Sequence, residues 1–193
     1  IYRTLKKTFP LFINQFLPNL YNNTTTFLVG VILGNYAVGL FGAIKQVVSL
    51  LNVFNSVVTS VLFPYLSRNM GKFNIYCKSY LFLFFVASLF FIFIGEYVFL
   101  FLDIVNDVAN KVLAILILGV FNVGIYSVFA TNYLILRNKD KLVMRITVVV
   151  SIIGFSLAYP AIHYFGLIGA AINICISQFL LGGSAFFFYK KMT

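Results

Sequence analysis

Charge is scarce in this sequence, and negative charge scarcest of all. Of 193 residues only 9% are charged and four are acidic, namely Glu96, Asp103, Asp107 and Asp140. A soluble domain carries roughly 25% charged residues, so a solvated globular surface is excluded. Acid–base catalysis needs carboxylates or histidine gathered within hydrogen-bond reach of a substrate. Here the acids are scattered and the single histidine, His163, stands alone at a predicted helix end, which argues against an enzyme. Asp103 and Asp107 are four apart and share a face if helical, but a solvated loop is the commoner setting for such residues. Cysteine is scarce too. Cys77 and Cys175 show no metal-ligand spacing and do not share one aqueous loop; both read as small core residues, free cysteine being among the most buried types. Nothing in this pattern calls for a metal or a cofactor. The net charge of +10 does not indicate nucleic acid, because the cations fall in short clusters between apolar runs and not along a solvated face.

What remains is apolar: 62% of the chain is hydrophobic and 19% aromatic, with a mean hydropathy of +1.01. These values predict an all-α integral membrane protein. Six segments reach the roughly 20 residues that a spanning helix needs, at about 9–33, 36–66, 77–102, 112–136, 142–164 and 167–189. Charge placement agrees with that count. Arg3, Lys6 and Lys7 precede the first segment, Arg68, Lys72 and Lys78 follow the second, Arg137, Lys139, Lys141 and Arg145 separate the fourth from the fifth, and Lys190 and Lys191 end the chain. Twelve of fourteen cations thus fall on one side, which the positive-inside rule makes the cytoplasm, both termini included. The other side receives the Gly34–Asn35 turn, a loop from Glu96 to Lys111, and the turn from His163 to Gly166. The start at Ile1 is a basic, amphipathic lead without the features of a signal peptide, and is expected to belong to a fragment.

Within the apolar background two polar stripes stand out. On the second segment Lys45, Ser49, Asn52, Ser56 and Thr59 or Ser60 return to nearly one azimuth of a 3.6-residue helix. A cation near mid-bilayer costs roughly 2.5 to 3.5 kcal/mol on insertion scales and usually faces a bundle interior or watery cavity. The alternative is a lysine that snorkels to the nearer interface, although Lys45 lies about 13 Å down the axis from Tyr36. On the first segment Gln15, Asn19, Asn22, Thr26 and Gly30 share an azimuth, flanked by Asn14, Asn23, Thr24 and Thr25. Pro18 sits inside this segment, where it removes a backbone donor and is expected to kink or loosen the turn before it. Broken, polar helices line transporter cavities, whereas the same side chains can merely bridge helices. The candidate cavity residues are therefore Lys45, Gln15, Asn19, Asn22, Thr26, Ser49, Asn52 and Ser56.

The other segments carry less. Phe residues lie all round the third, which is expected to face lipid. Asn122, Tyr126 and Tyr133 share one face of the fourth, with Thr131 and Asn132 nearby, and either join the cavity or pair with a neighbour. Thr147, Ser151, Gly154 and Ala158 on the fifth, and Gly169, Ala170, Asn173 and Ser177 on the sixth, form small-residue seams suited to close packing. Gly166 favours a tight turn between them.

The run LPNLYNNTTTFLVGVILGNYAVGLFGAIKQVV, the later VLFPYLSRN, and FGLIGAAINICISQ near the end resemble the second half of lipid-linked oligosaccharide flippases of the O-antigen type. Those belong to the multidrug/oligosaccharidyl-lipid/polysaccharide exporter superfamily. The resemblance implies that the six helices are one lobe, the carboxy-terminal one, of a two-lobe inner-membrane transporter whose amino-terminal six-helix lobe is a partner. It implies a polyprenyl-diphosphate-linked sugar as substrate, undecaprenyl diphosphate being the carrier, and a cavity cation, Lys45, suited to that anion. No proton or sodium site carries over, because no carboxylate lies clearly inside a span. A drug exporter of the same superfamily handles organic cations, which a lone intramembrane lysine suits poorly. A membrane enzyme of polysaccharide assembly would need the missing acid–base cluster, and a scaffold subunit would use the polar stripes only as glue between helices.

Overall fold

The computed structural model describes the backbone of residues 2–101 and 107–192, and side chains within those ranges except at 2–8, 96, 98, 100 and 101. Helix α1 runs Tyr2–Leu33, α2 Asn35–Arg68, α3 Phe73–Phe101, α4 Asp107–Tyr126 and α5 Asp140–Met192. Among the described residues there is no strand. A 3-10 turn, Met70–Lys72, joins α2 to α3, and α4 continues as a π-helix, Ser127–Ile135.

Two glycines make the turns that the apolar sequence needs. Gly34, alone between α1 and α2, has φ 89°, a left-handed value that a Cβ disfavours. Gly166 has φ 59° and ψ −138° and breaks the 53-residue α5 into two arms, 140–165 and 167–192. The arms fold so tightly onto one another that a Cβ on Gly169 would lie 1.9 Å from the Ala161 carbonyl oxygen. Each of the six predicted segments therefore lies along helix, apart from Leu102, which falls outside the described residues, and the turn residue Leu136. Four helices are long and apolar enough to cross a membrane: Asn35–Arg68, Met70–Gly95, Asp107–Ile135 and the broken Asp140–Met192. Helix α1 is not among them, since Asn, Thr and Pro in its middle dilute its apolar residues.

Several expectations are corrected. Helix α1 is continuous through Pro10 and Pro18. The predicted loop from Glu96 to Lys111 is shorter, because α3 extends to Phe101 and α4 begins at Asp107; Asp103 lies outside the described residues. Helix α3 does not face lipid all round. Phe82, Phe85, Phe90 and Phe93 are exposed, but Tyr80, Phe84, Ser88 and Phe99 are buried. Glycines let α3 approach α4: a Cβ at Gly124 would strike the Phe84 ring at 2.5 Å, and one at Gly95 would strike Leu113 at 2.1 Å. The two cysteines are free and only half-buried.

Two of the fourth segment's polar groups bond to neighbouring helices, whereas Asn122 Nδ2 donates to the Leu118 carbonyl of its own helix at 2.9 Å. Tyr126 Oη lies 3.2 Å from Thr147 Oγ1, and Asn132 donates to the Tyr76 hydroxyl. Asn55 is a buried hub: its Nδ2 donates to Ser127 Oγ at 3.2 Å, and its Oδ1 accepts from Tyr80 and, at 3.4 Å, from Thr59. The hub ties α2 and α3 to the first residue of the π-helix. The seams of the two α5 arms are buried and meet, with Asn173 Nδ2 donating to the Gly154 carbonyl at 3.1 Å.

Three of the four cation clusters can be traced to one end of the bundle, each through an aromatic contact or shared groove. Phe73, Tyr133 and Tyr189 form a ring cluster, with centroids 4.7 to 4.8 Å apart for the pairs Tyr133–Tyr189 and Phe73–Tyr133. This brings together the starts and ends of helices beside Lys72, Arg137 and Lys190. Pro10 of α1 shares a groove with Lys139, Lys141 and Arg145. Single cysteines at Lys139 and Asn110, in a background without Cys77 and Cys175, should react with an impermeant thiol reagent from opposite faces of the membrane. Labelling of both from one face would refute this helix arrangement.

Candidate functional site

Lys45 is carried on α2 between Ile44 and Gln46, and only Ile44 of the two points into the core. Its half-buried side chain turns towards α1. The ammonium donates to the Asn22 backbone carbonyl at 3.2 Å and to Thr26 Oγ1 at 2.9 Å. Thr26 Oγ1 in turn donates to the same Asn22 carbonyl at 3.1 Å, so the three groups close a small triangle. The Phe41 ring centroid is 5.9 Å from Nζ, within cation–π range. An ammonium has three donors, and two are used here, both on neutral oxygen. The side chain reaches across the α1–α2 hairpin.

Beside this triangle lies a cleft of about 230 Å³. Asn19, Asn22 and Asn23 of α1 and Lys45, Ser49 and Asn52 of α2 supply most of its polar wall; Leu116 and Val120 of α4 and Ile174 of the second α5 arm supply apolar wall. The two predicted stripes thus converge, although not completely. Thr26 acts through Lys45 and is not part of the cleft wall. Gln15 is exposed above it, and its carbonyl accepts from Asn19 Nδ2 at 3.0 Å. Ser56 is exposed and folds back on the Val53 carbonyl at 3.1 Å; Ser60 likewise bonds the Ser56 carbonyl at 2.7 Å. Thr59 turns inward to the Asn55 hub. The second stripe therefore spreads over more than one face, as 3.6-residue spacing drifts over four turns.

Two polar wall residues were not among the candidates. Asn23 lies one position off the azimuth of the α1 stripe. Gln178, 7% exposed on the second arm of α5, also lines the cleft. Its signal was available as an amide in an apolar helix, but the adjacent small residues Asn173 and Ser177 read as packing. The cleft wall provides one cation, five side-chain amides and one hydroxyl, with no carboxylate among its described residues. Such a set can offer hydrogen bonds to an anionic, hydroxyl-bearing group.

Residues 1–70, which include α1, α2 and Lys45, match the family model described as "Polysaccharide biosynthesis protein". Over 184 residues the chain is 23% identical to a Shigella dysenteriae protein described as "Putative O-antigen transporter", covering 92% of this chain. Both descriptions concern polysaccharide, one its biosynthesis and the other O-antigen transport. The chain spans about half the length of that relative, 46% of it. No solved structure gives a significant match.

If the ammonium is held for binding and is not a structural clamp, its removal should not weaken the fold, since a desolvated charge is expensive to keep. Lys45→Met in detergent-purified protein should melt at the same temperature as the parent or higher. A fall of several degrees would make Lys45 a structural strut.

Proposed function

We propose that this chain is the carboxy-terminal six-helix lobe, with spans near 9–33, 36–66, 77–102, 112–136, 142–164 and 167–189, of a two-lobe flippase. It moves undecaprenyl-diphosphate-linked oligosaccharide units across the bacterial inner membrane for O-antigen assembly, with both termini of the chain in the cytoplasm. The observation that carries this reading is the cleft of Lys45. A cation there has spare hydrogen-bonding capacity, is ringed by Asn19, Asn22, Ser49 and Asn52, and has no carboxylate among its partners.

In this reading the diphosphate meets the Lys45 ammonium. Unit charges about 4 Å apart gain roughly 4 kcal/mol at an effective dielectric of about 20, which offsets part of the lysine's desolvation. The amides and hydroxyls bond the sugar while the prenyl chain stays in lipid. Gln15, Asn19, Asn23, Ser49, Ser56 and Ser60 are exposed on α1 and α2. Hydrocarbon cannot hydrogen-bond such groups, and an amino-terminal lobe across an aqueous cavity would give this face its proper surroundings. Rocking of one lobe against the other then gives alternating access.

In the protein with both lobes, Lys45→Ala should nearly abolish transport at an unchanged membrane level. Lys45→Arg should keep part of the activity, because guanidinium also binds phosphate. Lys45→Glu should do no better than alanine. Restoration of surface polysaccharide in a flippase-deficient strain reads all three, and an alanine variant near wild type removes Lys45 from the site. The same strain tests the lobe assignment: this chain alone should fail to restore polysaccharide, and co-expression with the matching amino-terminal six helices should succeed.

A further inference from the structure

Gln178 stands apart from the α1 and α2 stripes that supply the other polar side chains of the cleft. It comes from the second arm of α5, flanked in the wall by the apolar Ile174, Leu116 and Val120. Only 7% of it is exposed, and its Oε1 is buried with no hydrogen-bond partner. An acceptor left so forfeits its hydration without return, and buried amides of this kind are normally paired. Its seat is a glycine. A Cβ at Gly119 would lie 2.2 Å from Oε1, so only a residue without a side chain leaves room for the amide on that side. The terminal torsion of glutamine is broad, and the amide can turn towards the cleft without leaving its rotamer.

We infer that Gln178 is the selectivity residue of the cleft, pairing its side-chain amide with a hydroxyl of the bound head group, and that Gly119 is the seat that positions it. Lys45 supplies charge, which attracts any anion alike. A neutral amide carries both a donor and an acceptor, and so does a sugar hydroxyl, so the amide distinguishes a glycosylated carrier from a bare one. The ligand class rests on the flippase reading above; the unpaired amide and its glycine seat do not.

The test uses purified protein with both lobes and two probes, undecaprenyl diphosphate bearing one N-acetylglucosamine and undecaprenyl diphosphate alone. Gln178→Met keeps the length and apolar packing of the side chain. It should weaken binding of the sugar-bearing probe about threefold to tenfold, the effect of one net hydrogen bond, and leave the bare carrier within about twofold. Gly119→Ala pushes the amide from its seat and should produce the same selective loss. In a Gln178→Ala background it should lose most of that effect, because two of the three nearest neighbours of the added Cβ belong to Gln178 and only the Cys175 Cα, at 3.2 Å, remains. Sugar-probe binding unchanged in Gln178→Met, or an equal loss for both probes, overturns the inference. Lys45→Ala separates it from the underlying reading: that variant should weaken both probes, and if it weakens neither, the anion site fails whatever Gln178 does.

Discussion

The Lys45 ammonium is solvated by neutral oxygen, because α1 and α2, between which it lies, carry no carboxylate, and much of the structure follows from that need. The Asn22 carbonyl and Thr26 hydroxyl belong to the stretch of α1 that is too polar to count among the most membrane-like helices. Backbone and hydroxyl oxygens can accept from an ammonium without cancelling its charge. A salt bridge would have been a stronger local contact but would have left no net charge for a ligand. The hairpin at Gly34 keeps α1 and α2 close enough for the reach, and the apolar walls from α4 and α5 restrict water around it.

Elsewhere the same shortage of charge is met by amides and hydroxyls. Asn55 joins α2 to Tyr80 of α3 and to Ser127 at the head of the π-helix, while Asn132 within that helix bonds Tyr76. In hydrocarbon each such bond contributes roughly 0.6 to 2 kcal/mol. Their main effect is to set register. A nine-residue π-helix is unusual, since such turns mostly occur singly and often at functional sites. Here the side chains that flank and occupy it are anchored to α2 and α3. Glycine provides the remaining fit, bringing α3 to α4 at Gly95 and Gly124 and folding the arms of α5 together at Gly169.

Polar side chains are also left on the open faces of α1 and α2, among exposed Phe12, Phe16, Val53 and Val57. This mixture suits neither bulk lipid nor bulk water. It suits a boundary between a membrane-embedded surface and an aqueous cleft, which is the setting the flippase reading assigns to it.

The sequence by itself determined the helical, membrane-type character of the chain, its turns at Gly34 and Gly166, and the grouping of cations between apolar runs. These depend on local composition and on distances along one chain. It also picked out Lys45, Asn19, Asn22, Ser49 and Asn52, because polar residues at helical spacing in an apolar run are visible without a fold. The tertiary structure decided which atoms meet. It turned Lys45 to α1, sent Thr59 inward and Ser56 outward from what looked like one stripe, buried one face of the phenylalanine-rich α3, and brought Gln178 to the cleft with Gly119 against it. Periodicity assigns a residue an azimuth on its own helix, but which neighbour lies at that azimuth depends on how the helices pack, and residues 45 and 178 are brought to one wall only by that packing.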